Sequence, residues 1–164
     1  MNFEETYIRL FKPVLAYIKS RLNNESAAQE IAAVTWQKVY EHQNQFNPEK
    51  GRPEQWIFTI ARNEVNKYRR FWQLKRFFSL TDEEEQFACA EKTPFEKLVY
   101  QEQNKILLAA MAQLTDRERD LIALKFYSGL NNRQIASITA LSESNVGTII
   151  NRAVAKLRSR LEAL

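Results

Sequence analysis

The chain has 164 residues, with 24 lysines and arginines against 20 aspartates and glutamates, a net charge of +4. That length accommodates one ordinary domain or two small ones, and 45% apolar with 27% charged residues excludes a disordered chain. Only three glycines and four prolines exclude a turn-rich β sandwich or barrel, so an all-α protein is predicted.

The single cysteine, Cys89, excludes an internal disulfide framework and a multi-cysteine zinc site, and it is compatible with a reducing cytosol. The acidic start Met1-Asn2-Phe3-Glu4-Glu5 lacks the basic and apolar regions of a signal peptide. The longest apolar run, 106–112, is far short of the roughly 20 residues a membrane span needs. A soluble cytoplasmic protein without direct membrane insertion is expected.

The charge is unevenly spread. Residues 1–80 carry 13 basic and 8 acidic side chains, residues 81–100 carry 2 and 6, and residues 101–164 carry 9 and 6. Two basic blocks around an acidic segment predict two small helical domains, 1–79 and 101–164, joined by a flexible acidic linker at 80–100. Each basic block is suited to attracting phosphates.

In chain order, Phe3, Tyr7, Leu10, Phe11, Val14, Ile18 and Leu22 form one apolar stripe, predicting a first helix that Pro13 should kink or interrupt. Ser26-Ala27-Ala28-Gln29 reads as a capping box opening a second helix to about Tyr40, with Ala32, Trp36, Val39 and Tyr40 inward. The segment 46–53, with a proline at each end, is a loop. A third helix is predicted from about Glu54 to Phe71 or beyond, burying Trp56, Ile57, Ile60, Ala61 and Val65.

The second block opens with an amphipathic helix from Glu102 to Leu114, its Ile106, Leu107, Ala110 and Leu114 inward. A capping box at Thr115-Asp116-Arg117-Glu118 starts the next helix, which Gly129 ends. A short helix Asn132–Thr139, a turn at Ala140-Leu141-Ser142 and a longer helix from Glu143 to about Leu161 follow. That sequence of parts is a helix-turn-helix. Val146, Ile150, Ala153 and Leu157 form the core stripe of the last helix. Asn145, Thr148, Asn151, Arg152 and Lys156 are left for base edges and phosphates.

The other basic element is Arg62–Phe78, RNEVNKYRRFWQLKRFF, with six basic residues and one acid. Basic side chains follow a phosphate backbone and aromatic faces stack unpaired bases, a combination suited to single-stranded nucleic acid. Asn63, Asn66, Lys67 and Arg70 recur on one helical face and are the expected contacts, whereas Phe71, Phe77 and Phe78 are expected in the core. The lone histidine, His42, has no motif partner, and no phosphate loop, HExxH or nucleophile elbow occurs, so an enzyme is not expected; neither is a metal or cofactor.

Phe46-Asn47-Pro48-Glu49-Lys50-Gly51 and Trp56-Ile57-Phe58-Thr59-Ile60-Ala61-Arg62-Asn63 resemble the second conserved region of sigma-70-family factors. Leu114–Arg119, Gly129–Ala136 and Leu141–Arg158 resemble their fourth region, and the chain as a whole is similar to the extracytoplasmic-function group, which keeps only these two regions. The resemblance implies a factor that brings core RNA polymerase to promoters. Lys50, Arg52, Asn63, Asn66, Lys67 and Arg70 would hold a melted −10 strand, and Arg133, Asn145, Gly147, Thr148, Asn151 and Arg152 would face the −35 duplex. Glu30, Trp36, Gln37 and Tyr40 would grip the clamp of the largest polymerase subunit, and the fourth region would lie near the flap of the second-largest. An anti-sigma factor is a further implied partner. Ala33 and Val34 stand where the family usually has a polar pair, and Ala140 replaces its usual turn glycine. Two other readings stay open on the sequence: a stand-alone helix-turn-helix regulator, and a sigma-like protein acting mainly through protein partners.

Overall fold

The computed structural model describes residues 1–22, 24–78, 107, 110, 111 and 113–163; the expected linker, Cys89 and most of the helix placed at 102–114 lie outside them. The described residues form two helical domains. The first contains α1 (Phe3–Arg21), α2 (Glu25–His42) and α3 (Pro53–Phe78). The second contains α4 (Asp116–Ser128), α5 (Asn132–Thr139) and α6 (Glu143–Glu162).

In α1, Asn2 accepts the Glu5 backbone N–H at 3.4 Å, and Leu10, Val14, Tyr17 and Ile18 are buried. The helix runs unbroken through Pro13, so the proline marks no boundary: buried residues on both sides hold the two halves against the same core. α2 starts one residue before the predicted box. The side chain of Asn24 accepts the Ala27 N–H at 2.8 Å, and Ser26 is an exposed first-turn residue. Its inner face is Ala28, Ile31, Ala32, Thr35, Trp36 and Val39, whereas Tyr40, expected inward, is exposed. α3 buries Ile57, Phe58, Ala61 and Val65 against the other two helices.

Ion pairs Lys38–Glu64 and Arg9–Glu54 tie α2 and α1 to α3. Magnitudes decide which effect holds the bundle. A buried Val, Leu, Ile or Phe contributes roughly 1.5–3 kcal/mol, and an ion pair with an exposed partner about 0–1. The apolar stripe dominates.

The second domain follows its local signals. Thr115 and Glu118 form the reciprocal capping box, and Gly129 closes α4 at φ 65°, in the left-handed region that glycine reaches without strain. Asn131 and Gln134 cap α5 in the same reciprocal way, and Ser142 caps α6. Ala140 adopts φ 56° in the turn between them, the only non-glycine positive φ among the described residues. A Cβ there costs about 1 kcal/mol relative to glycine, which the buried α5–α6 contacts of Ile135, Ala136, Val146 and Ile150 outweigh.

The two domains are packed together. Tyr17 of α1 is fully buried, edge-on to Phe58 with ring centroids 5.6 Å apart, and its hydroxyl points at α4. One hydrophobic cluster therefore runs from Leu10 and Val14 through Leu121 and Leu124 to Ile135 and Val146. Leu107, expected inward, is exposed.

Candidate nucleic-acid interface

The loop before α3 is shaped by its own polar groups. Asn47 accepts the Glu49 N–H through its side chain at 2.9 Å and the Lys50 N–H through its carbonyl at 3.1 Å, while Phe46 packs on Trp56. Lys50 and Arg52 project outward from it. Arg52 lies 3.3 Å from the buried carboxylate of Glu54, which Arg9 also binds. Burial alone would raise the Glu54 pKa, but the Arg9 hydrogen bond and the nearby positive charges outweigh it and hold it below the usual carboxylate range.

Along α3, Asn63, Lys67 and Arg70 are exposed and Asn66 is half-buried, so the four predicted contacts share one accessible face. Lys75 lies over the Trp72 ring, 4.4 Å from its centroid. Phe71, Phe77 and Phe78 correct the expectation of a core role: they are 61%, 83% and 79% exposed. The last fully buried residue of α3 is Val65; Tyr68 still packs on the core and Arg69 is paired with Asp116, whereas residues 73–78 are all exposed.

In the second domain, α6 turns its back to the core through Val146, Ile150 and Ala153. Arg133 on α5 and Asn145, Thr148, Asn151 and Arg152 on α6 are exposed. Gly147 stands apart from them. A Cβ at that position would lie 3.2 Å from the Asn132 amide nitrogen, so this glycine permits the close approach of α6 to the start of α5 instead of forming part of the open face. Asn132 is held there by a 3.0 Å bond from Lys125.

On α2, Glu30, Ala33, Gln37 and Tyr40 are exposed at helical spacing and form a single strip. Trp36 is not on it. It is buried under Phe3 and Tyr7, with ring centroids at 6.3 and 4.9 Å, because its position falls on the inner stripe.

Sequence reasoning missed a third cluster, the polar seam between the domains. Asp120 of α4 accepts the Tyr17 hydroxyl at 2.8 Å and the Arg62 Nε–H at 2.7 Å, with the Arg21 Nε 3.4 Å away. Asp116 accepts both ends of the Arg21 guanidinium, at 3.0 and 3.3 Å, and also binds Arg69. Gln55 donates to Ser137 at 2.6 Å beside it. Burial pushes the Tyr17 hydroxyl well above its ordinary pKa, reinforced by the charge of Asp120. Burial would also raise Asp116, but its hydrogen bonds with Arg21 and Arg69 and their charges leave it below the ordinary value. The only trace in the sequence is face spacing: Tyr17 and Arg21, Asp116 and Asp120, and Arg62 and Arg69 are each four or seven apart. Nothing local says that three such pairs meet.

Against known families, the description Sigma-70 region 2 matches residues 6–72 and Sigma-70, region 4 matches residues 104–157. The chain is 32% identical to the ECF RNA polymerase sigma factor RpoE of Cereibacter sphaeroides over 84% of this chain and 71% of that protein. It is 26% identical to the ECF RNA polymerase sigma factor SigM of Bacillus subtilis over 100% and 95%. Its fold is similar to that of the sigma factor RpoE from Bartonella quintana, solved in complex with the anti-sigma factor NepR, with a TM-score of 0.74 at 19% identity, covering 98% and 97% of the two chains. Two conserved regions in order, together with relatives that span nearly all of it, place the chain in the extracytoplasmic-function group of the sigma-70 family: it belongs to the RNA polymerase sigma factors, which direct transcription initiation and are not enzymes.

Proposed function

We propose that the three exposed faces divide the work of promoter recognition. The face of Asn63, Asn66, Lys67 and Arg70, with Lys50 and Arg52 in the preceding loop, holds the melted −10 strand. The asparagine amides bond to base edges, the cations follow phosphates, and Trp72 offers a stacking surface. Extruding a base costs a few kcal/mol, which such contacts must recover. Asn145, Thr148, Asn151 and Arg152 enter the major groove of the −35 duplex, with Arg133 on a phosphate. The strip Glu30, Gln37 and Tyr40 meets the clamp of the largest polymerase subunit, and the second domain lies near the flap of the second-largest. On this reading the functional units are residues 1–79 and 101–164, joined through 80–100, and the protein works in the cytoplasm. An anti-sigma factor as partner is supported by the structural neighbour solved with one.

The observation that carries this reading is the pairing, on one chain, of a basic, asparagine-bearing helix face with an open helix-turn-helix face of different chemistry. Selective initiation is expected in transcription reactions with core polymerase and a genomic promoter library. Folded protein that binds core polymerase yet starts no selective transcript would overturn it. Asn63→Ala with Lys67→Ala is expected to reduce promoter opening more than duplex binding, and equal losses would remove the strand-holding role.

A further inference from the structure

Glu54, in the first turn of α3, keeps its carboxylate almost fully buried, with a side chain only 4% exposed. Its Oε1 accepts a hydrogen bond from Arg9 of α1 and lies 3.3 Å from a terminal nitrogen of Arg52, while Oε2 is buried with no hydrogen-bond partner. A buried carboxylate left half satisfied costs stability, and ion pairs to exposed arginines return little of it. Packing therefore gives no reason for an acid here. What the acid does is fix two guanidinium groups on one oxygen atom. Both arginines stay more than half exposed, at 53% and 58%, so the other donors of each fork are open to an anion. Two guanidiniums against one carboxylate leave the group net positive, and the exposed Lys50 adds to it. Arg52 stands eleven residues before Asn63 and eighteen before Arg70, three and five helical turns, and its carbonyl accepts the Trp56 N–H at 3.3 Å. The arginine pair thus continues the exposed face of α3 at its loop end, roughly 16 Å from Asn63. Arg9 belongs to another helix and to none of the basic patterns of the sequence.

We propose that Arg9 and Arg52 together hold one phosphate of the single strand, and that Glu54 is the residue that positions them. A guanidinium fork matches phosphate oxygens, and two forks arriving from different elements, α1 and the loop before α3, enclose the group from two sides. A free surface arginine must be ordered at the moment it binds. Glu54 has ordered both beforehand, which lowers the cost of capture. The inference deepens the strand-holding role proposed for α3 and rests on it: the asparagines meet bases, and the arginine pair anchors the backbone beyond them.

The test uses the full chain and a labelled single strand of mixed sequence, about 12 nucleotides long to span the face, with affinity read by fluorescence anisotropy over a salt series. Arg9→Gln is expected to weaken strand binding about tenfold. The slope of log affinity against log salt should shrink by roughly 0.7, one phosphate contact on a single strand. Lys12→Gln, exposed one turn further along α1, measures the loss of any nearby cation, and equal losses in the two variants overturn the inference. Arg9→Gln also unmasks the Glu54 carboxylate, so the double variant Arg9→Gln with Glu54→Gln restores the original net charge. It should stay weak, and recovery of the original affinity overturns the phosphate contact. Glu54→Gln alone separates positioning from electrostatics. Removing a negative charge beside a phosphate would tighten binding, whereas loosening two ordered arginines is expected to weaken it about two- to fivefold. Tighter or unchanged binding by this variant, shown to be folded by circular dichroism, overturns the positioning role. Should it not fold, the comparison of Arg9→Gln with Lys12→Gln still decides the phosphate contact. If the unmodified protein binds no strand, the role of α3 fails and the inference with it; if it binds but Arg9→Gln matches Lys12→Gln, only the arginine pair fails.

Discussion

α3 and α6 are both long, basic and amphipathic, yet they meet the rest of the molecule differently. The back of α6 is apolar at Val146, Ile150 and Ala153, and Lys156, expected on the nucleic-acid side, is paired instead with Glu118 of α4; its outward residues Asn145, Thr148, Asn151 and Arg152 are exposed. The back of α3 mixes apolar residues with the buried carboxylates Glu54 and Glu64, and two of its arginines are spent on aspartates of the other domain. A helix whose polar face is open can be read for function directly from its pattern; a helix whose charges are paired inside the molecule cannot. Buried or half-buried ion pairs add little net stability, because desolvation offsets much of the attraction.

The largest way to break the contrast is to remove the apolar support that both domains share. Phe58, fully buried and packed on Tyr17, connects the α3 core to the seam. Phe58→Ala is expected to lower unfolding stability by about 3–5 kcal/mol in urea titration, and a loss below 1 kcal/mol would mean that Tyr17 is held by the seam alone. Arg152→Ala comes next. It should weaken −35 duplex binding by about 1–3 kcal/mol and leave single-strand binding unaltered; full duplex affinity would remove Arg152 from the reading face.

A smaller effect concerns the start of α4. Thr115 caps the helix directly before Asp116, so Thr115→Ala should cost about 1 kcal/mol of stability. If the cap also sets the position of Asp116, the same variant enlarges the radius of gyration, and an unchanged radius separates the cap from the seam. The smallest effect is acid sensitivity. Asp116 has a depressed pKa when docked, so its contribution is complete above the ordinary carboxylate pKa and is lost as the pH falls through the depressed value. Docking should loosen below about pH 4, and Asp116→Asn should flatten that part of the profile. An identical acid profile in the variant would assign the loosening to other carboxylates.

Much of the fold was legible because its signals are local. The Thr115 box and the bounds Asn132–Thr139 are set by hydrogen bonds three or four residues apart, and the stop at Gly129 by a left-handed φ that glycine reaches without strain; all of these appear in the sequence as short patterns. The exposed faces of α3 and α6 followed from helical period alone. Tyr40 and Trp36 show the limit of that method. Trp36 falls on the inner stripe of α2 and is covered by Tyr7 and Phe3, whereas Tyr40 lies farther round the helix and stays exposed even though Phe3 packs edge-on against it at 5.2 Å. Phe71, Phe77 and Phe78 look like core by composition and are exposed, because α3 outruns the helices it packs against.

The amino-acid sequence by itself determined the all-helical class, the two-region order and the faces with the right chemistry for nucleic acid, since each depends on residues close together in the chain. Tertiary structure alone decided that Asp116 and Asp120 lie against Arg21, Arg62 and Arg69, across 47 to 95 residues of chain for the measured Asp116 and Arg62 bonds. A charge seeks the nearest opposite charge in space, and no local pattern encodes which one that will be. The net charge of +4 counts those arginines as free for phosphate; the docked structure has already given them a partner.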